Sequence, residues 1–444
     1  LRCVARHRTR HDRLRFVTVM NSAIELAYGR SLVSFKWDPD QFAVITSDAN
    51  SEKPLNDFEV GEAFDAPVGS PPLDEIVSSD DSVLLVVSDA TRPTGSAQIV
   101  NLLVRRLVSM GLSPSRMAVI FATGIHRRVT EQEKVELLTP FIVQRLKIID
   151  HDAYDPARLS SFGKTQGGVE IELSSALREY SRVIVIGGIN FHYFAGFTGG
   201  RKSICPGLAS AKTIEATHIL ALDFATGARQ AGVGTALLDG NPVHEECDRV
   251  AALVNPAFAI NTIVSPKKRA VKLFCGNWRA AHRAACEHYL DQRSVELPAK
   301  RDVVVASCGG FPYDINLIQA HKALDMASYA CNVGGTIVLL AECADGLGRP
   351  DFMKWFESAD SRALATRLRN GYEVNGQTAW ALLTKAETYR VCLISQLPDE
   401  EVKQMRMIPA RSPAEALEGA GGKTGFIMPR GAAVLPRIEN TTWN

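Results

Sequence analysis

Of the ten histidines in this chain, three stand where chemistry would gather, and a fourth less clearly so. His126, His192 and His218, with His151 as the less clear case, follow apolar runs of strand length or lie close to them. An isolated histidine is more often a satisfied structural side chain than a ligand. Several at successive strand ends of one sheet are different, because those ends converge in space and ligands collect beyond them. Together they could supply a general acid, a general base and a metal ligand. The partners of an ordinary zinc site are missing: there is no HExxH or CxxC, and His244-Glu245-Glu246 lacks a second His.

Three further segments carry candidate chemistry. Ser88-Asp89-Ala90-Thr91-Arg92-Pro93 reads as a tight turn with Asp and Thr as caps and Pro93 opening a helix. It also offers Arg92 as a rigid donor fork for a carboxylate or phosphate. Residues 196–206, GFTGGRKSICP, have glycines that let backbone approach a ligand, and N–H groups that with Lys202 suit a phosphate. A flexible surface loop with a solvated Arg-Lys pair is the bland alternative. The order fits neither GxxxxGK[ST] nor GxGxxG, which disfavours an ordinary ATPase or dehydrogenase. Lys202 is then either a charge for a phosphate or a nucleophilic amine that forms a covalent link. In residues 314–322, DINLIQAHK, Gln319 and Lys322 share a helix face, either solvated or turned to a cleft.

These residues need elements to position them. Residues 183–186 form a buried strand that breaks at Gly187-Gly188 and opens the stretch 183–207, VIVIGGINFHYFAGFTGGRKSICPG. Strands are also expected over 82–87, 117–122, 146–150 and 257–264, with a hairpin-like piece at 169–173. Helices are expected over 96–110, after the capping box Thr130/Glu133, over 210–220 carrying His218, from Asn241 to about 253, and near 281–293. Residues 296–299 look like a linker. The pattern restarts with strands at 302–306, 336–340 and 390–394, and 426–428 either adds a last strand or returns to the first domain. Strand, polar signature and helix, so repeated, predict an α/β fold of two mainly parallel sheets with a cleft between them.

Length and composition agree. At 444 residues two or three domains are expected. A net charge of +1 argues against a nucleic-acid or anionic-membrane binder, and no apolar run approaches a membrane span. Nine scattered cysteines read as reduced thiols of a cytoplasmic protein. The expected division is a basic extension over 1–19, disordered or not native with Met20 as the true start, then a catalytic and cofactor-binding α/β domain over 20–295. The latter would begin with a small antiparallel element, alternating between about 20 and 62. A C-terminal α/β domain over 300–415 follows, with 416–444 packing back on the first.

The motifs SDATRP at 88–93, GIHR at 124–127, HYFAGFTGGRKSICPG at 192–207, His218 and GGFPYDINLIQAHKAL at 309–324 are similar to those of the nickel-pincer lactate racemase family. The chain resembles that family from about Met20 to its C-terminus. The resemblance implies two α/β domains with the site in the cleft, and a racemase or epimerase of 2-hydroxy acids. It implies nickel held in a pyridinium-3,5-bisthiocarboxylic acid mononucleotide, the nickel-pincer nucleotide, tethered to Lys202. By the same resemblance His218 ligates nickel, and His126 and His192 are the acid/base pair. Arg92, Gln319 and Lys322 hold the substrate, and Asp89, Thr91, Gly199 and Gly200 line the cofactor. Trp380 is the candidate for the family's aromatic residue in the second domain. Partners would be a small-molecule 2-hydroxy acid and the proteins that make and deliver the cofactor. The resemblance leaves open which 2-hydroxy acid is used; Tyr193, Phe194, Phe311 and Tyr313 could shape the pocket. A metal-dependent lyase or hydrolase, and a non-catalytic nucleotide or hydroxy-acid binding protein, are the competing readings.

Overall fold

A computed structural model describes residues 23–47, 53–422 and 424–439. The expected extension over 1–19 and the start at Met20 lie outside them. Among the described residues the chain forms two compact units, one of 53–223 with 229–291, the other of 23–47, 224–228 and 292–439. No helix among the described residues is long and apolar enough to cross a membrane.

The first unit is built on a six-stranded sheet in the order Ala270–Gly276, Phe258–Val264, Arg182–Gly188, Val83–Ser88, Met117–Ala122, Lys147–Asp150. All neighbours are parallel except the first two. The apolar runs at its centre are continuous because a parallel strand covered on both faces has no solvent side to alternate with. Helix Ser96–Ser109 covers one face through Ile99, Val100, Leu103, Val104 and Leu107, a stripe at helical spacing. Burying each such side chain contributes about 1.5–3 kcal/mol. Helix Glu131–Val143 begins with the predicted capping box: the Thr130 hydroxyl accepts the Glu133 N–H, and the Glu133 carboxylate accepts the Thr130 N–H.

Register decides where the site lies. Val83 pairs with Met117 on one side and Arg182 on the other, so three parallel strands finish nearly level at Ser88, Ala122 and Gly188. The chain leaves Val83–Ser88 for one side and later returns to the other, which makes this edge a topological switch point.

The second unit holds a six-stranded, all-parallel sheet in the order Ile408–Ala410, Arg390–Ile394, Cys331–Leu340, Arg301–Ser307, Gly425–Met428, Phe42–Val44. Three expectations change here. The antiparallel hairpin Ala23–Tyr28/Ser31–Lys36 exists, but it and Phe42–Val44 belong to this unit and not to the start of the first. The cause is side-chain burial: Leu26, Phe35 and Trp37 pack with Val303, Val305, Val338 and Ile427. Of the two readings for 426–428, the added strand holds: Gly425–Met428 is buried throughout and takes a strand of this unit on each side, so it does not return to the first. The linker expected at 296–299 overlaps a strand, Ser294–Leu297, paired in parallel with Leu435–Ile438.

Candidate active site

The level edge of the first sheet gathers His126, His192, Lys202 and His218 with their neighbours. Asp89 follows the strand Val83–Ser88 and is 4% exposed. Its Oδ1 accepts the Thr91 N–H at 2.9 Å and the Thr91 hydroxyl at 2.6 Å, and its Oδ2 lies 2.7 Å from His126 Nδ1. Burial works to raise the Asp89 carboxyl, but the hydrogen bond and charge of His126 and the two Thr91 bonds outweigh it and hold it below its usual value. An ionised carboxylate only accepts, so His126 carries a proton on Nδ1, and in the neutral form of the ring the lone pair is on Nε2. Its side chain is 45% exposed and reachable. Asp89 and Thr91, expected at the cofactor, are placed as the support of His126. Arg92, next along the turn, is exposed.

The His126 loop is docked on the end of the glycine stretch, where the Gly124 N–H donates to the Gly207 carbonyl at 2.8 Å. Within that stretch Phe191–His192 pairs with Gly196–Phe197 in a tight antiparallel turn. His192 Nδ1 accepts the Ala195 N–H at 3.3 Å, and Nε2 lies 3.1 Å from Lys202 Nζ. With Nδ1 accepting, a neutral His192 carries its proton on Nε2, the opposite tautomer to His126. Burial pushes the Lys202 amine down to about 7; Cys247 opposes this, and the charges of Arg201 and Arg92 add to it. Much of the amine is therefore free base near neutrality, as a nucleophile or tether requires.

His218 closes the last turn of helix Ala211–His218, whose cap is Ser210 accepting the Thr213 N–H. The Thr217 hydroxyl donates to the Ile214 carbonyl at 3.0 Å, so towards His218 Nδ1, at 3.1 Å, it accepts. His218 thus holds its proton on Nδ1 and keeps a lone pair on Nε2, the arrangement of a metal-ligating imidazole fixed by a hydrogen-bond partner. Burial, then the Lys202 charge, drives its pKa down to about 3, so it is neutral. Phe194 separates these groups, with its ring centroid 4.4 Å from that of His192, 5.1 Å from that of His218 and 5.5 Å from Lys202 Nζ. The Tyr193 ring lies parallel to His192 at 5.6 Å and edge-on to Phe194 at 4.7 Å.

Other expected residues are placed elsewhere. His151 is buried and its Nε2 lies 3.1 Å from the Ala209 carbonyl, a structural role. The glycines do not form an open cradle of donors: the Gly200 N–H goes to Asn261 Oδ1 and the Lys202 N–H to the Gly199 carbonyl. Their visible work is close packing. A Cβ on Gly199 would stand 2.5 Å from the Ile189 side chain, and one on Gly200 2.7 Å from the His282 ring. In the second unit Lys322 Nζ donates to Gln319 Oε1 at 2.7 Å, as helix spacing predicts. The Trp380 side chain is 3% exposed and its indole N–H donates to the Gly227 carbonyl at 3.2 Å, which occupies its polar atom within its own unit. Phe311 and Tyr313 are exposed. A cavity of about 330 Å³ lined by Arg201, His244, Trp278, Arg279, His282 and Arg283 among others contains none of the three site histidines. Sequence reasoning missed Arg201, Asn261 and His282; Arg201 stood beside Lys202 but reads as solvated, and the other two carry no local signal.

Among the described residues no group of three or more His, Cys, Asp or Glu could hold a metal ion. A metal at His218 would need ligands brought with it, and the neutral, oriented imidazole fits that demand. Residues 28–228 match the lactate racemase N-terminal domain family and residues 297–434 the lactate racemase C-terminal domain family. This chain belongs to the lactate racemase family. The lactate racemase of Thermoanaerobacterium thermosaccharolyticum is 30% identical over 429 residues, covering 93% of this chain and 99% of that protein. The lactate racemase of Lactiplantibacillus plantarum is 30% identical over 431 residues with the same shares. Among solved structures, the lactate racemase apoprotein from Thermoanaerobacterium thermosaccharolyticum matches with a TM-score of 0.86 at 29% identity, over 94% of this chain and 100% of that one. A Thermotoga maritima protein at 18% identity and a TM-score of 0.64, over 89% of this chain and 100% of that one, shares the fold.

Proposed function

We propose that this member of the lactate racemase family is an isomerase that racemises or epimerises a 2-hydroxy acid, lactate or malate being candidates, with His126 and His192 as its acid/base pair. The observation that carries the reading is the pair of opposite tautomers at one sheet edge: His126 offers a lone pair at Nε2, and His192 a proton at Nε2. A Cα–H beside a carboxylate is very weakly acidic, so direct removal of that proton is expensive. Taking the hydroxyl proton is easier, and it lets the Cα hydrogen depart with its electron pair as the carbonyl forms. The planar 2-oxo acid can be reduced again on either face, and the two enantiomers present their hydroxyls on opposite sides. Two imidazoles, one to take a proton and one to give it, match that demand. Arg92 would hold the substrate carboxylate so that the 2-oxo acid does not leave. Gln319 and Lys322 keep the substrate-binding roles that the family resemblance gives them.

The cofactor that the resemblance implies, a nickel-pincer nucleotide, would supply the hydride acceptor. His218 Nε2 would be the protein ligand to nickel and the Lys202 amine the tether, in keeping with their charge states. Proteins that make and deliver such a group are then required partners. The eight described cysteines are all unpaired and buried, which supports a cytoplasmic location.

The test uses protein produced with the cofactor-making accessory proteins and one enantiomer at a time of a panel of 2-hydroxy acids in deuterated water. Racemisation with the original hydrogen kept at Cα is expected. Substantial solvent deuterium at Cα would overturn the hydride mechanism, and no turnover by nickel-loaded protein would overturn the isomerase reading.

A further inference from the structure

The glycine stretch buries a cation that the proposed chemistry does not use. Arg201 is 1% exposed and pairs with no carboxylate among the described residues. Its Nη2 donates to the Ala195 carbonyl at 2.7 Å and to the Phe197 carbonyl at 3.2 Å, while Nη1 lies 3.1 Å from His282 Nε2 and Nε has no partner. A buried charge with no carboxylate in direct contact is unfavourable, Asp248 acting on it only from a distance, and fold stability alone gives no reason to keep it. Its contacts suggest another reason. Ala195 and Phe197 form the returning side of the turn that carries His192, and the two peptide groups flanking the Ala195 Cα are both engaged. The Ala195 carbonyl accepts from Arg201, and the Ala195 N–H donates to His192 Nδ1. His192 Nε2 in turn meets Lys202, the next residue after Arg201, so the contacts close into a ring.

His282 fixes the far end of the arginine. Its ring fills the space that a side chain at position 200 would need. Burial, then the Arg201 charge, keeps it neutral with a pKa down to about 3. A neutral imidazole with Nε2 unprotonated accepts the Arg201 N–H. The same nitrogen is 3.0 Å from the Thr198 carbonyl, which it can serve only as a donor in the other tautomer, so it engages the arginine or the backbone of the stretch, one at a time.

We propose that Arg201, packed against His282, is a positioning residue: it fixes the backbone at Ala195, and through it the ring orientation and tautomer of His192 against Lys202. The inference rests on the working role proposed for His192, but it is readable in apo-protein without catalysis. Arg201→Lys keeps the charge but lacks the fork that spans two carbonyls and His282. Arg201→Met removes charge and donors together.

The first measurement is the ¹⁵N spectrum of apo-protein with labelled histidine, where the two neutral tautomers are distinct. Wild type is expected to show His192 with its proton on Nε2 and His126 with its proton on Nδ1. Arg201→Lys, and Arg201→Met if it folds, should shift His192 towards a mixture and leave His126 unchanged. In cofactor-loaded enzyme Arg201→Lys should lower kcat about tenfold with KM within about twofold. Wild-type His192 signals in the folded variants would overturn the proposal. So would equal changes at His126 and His192, which would mean general loosening. A wild-type protein inactive on every 2-hydroxy acid would sink the proposed function, while the tautomer measurement would still decide the role of Arg201.

Discussion

Asp89 Oδ2 stands 2.7 Å from His126 Nδ1, and the Thr91 N–H and hydroxyl both donate to the other carboxylate oxygen. The consequence is a fixed tautomer at the histidine whose side chain is open to a substrate. Asp89→Asn keeps the size but can present an N–H where an acceptor is needed, inverting the tautomer. With loaded enzyme kcat is expected to fall by about 10²–10⁴-fold, with KM little changed, as for other His-orienting carboxylates. Steady-state kinetics in both directions check it, and an Asn variant within threefold of wild type would remove the orienting role.

How much of this was legible beforehand depends on the kind of residue. Strand, turn and helix from 82 to 122 follow from apolar runs and periodicity, and the Thr130/Glu133 capping box follows from spacing alone. His126, His192, Lys202 and His218 were legible as candidates because they follow or lie near strand ends of one sheet, which converge where ligands collect. Partnerships across the fold were not. Nothing local tells that Asp89 serves His126, that Gly200 is small because of His282, or that Arg201 is buried. The sheet membership of Phe42–Val44 and Gly425–Met428 was hidden for the same reason, since periodicity identifies a strand but not its neighbours.

Lys202 should be the most reactive lysine near neutral pH. Its pKa is pushed down to about 7, chiefly by burial, so about half of the amine is free base at pH 7, against roughly one part in 2,500 for an ordinary lysine. Limited acylation of apo-protein at pH 7, read by peptide mass spectrometry, should label Lys202 before most surface lysines. Labelling that follows exposure alone, with Lys202 last, would contradict this.

Gly200→Ala tests the close packing behind the site. A Cβ there would stand 2.7 Å from the His282 ring, on a backbone whose φ of +49 is unfavourable for a side chain. The expected destabilisation is about 1–3 kcal/mol by chemical denaturation, with loss of activity because His282 bears on Arg201. A variant of wild-type stability would mean that the ring moves aside freely.

Acid should unfold this protein through its buried histidines as well as its carboxylates. His218 and His282 are held down to about 3, and His244 to about 2, in each case first by burial and then by nearby positive charges. Each binds a proton near pH 6.5 in the unfolded chain and much lower in the folded one. Between those values the unfolded state carries more protons, so stability falls as pH drops, by up to about 1.4 kcal/mol per pH unit for each group. Above pH 7 none of them contributes to the slope. Urea midpoints of apo-protein from pH 7.5 to 5 should therefore decline, and His244→Asn should shallow that decline by about one group's share. A metal on His218 would compete with its protonation, so nickel-loaded protein should resist acid better than apo-protein. An apo-protein whose stability is flat from pH 7.5 to 5 would show that these histidines protonate in the folded state.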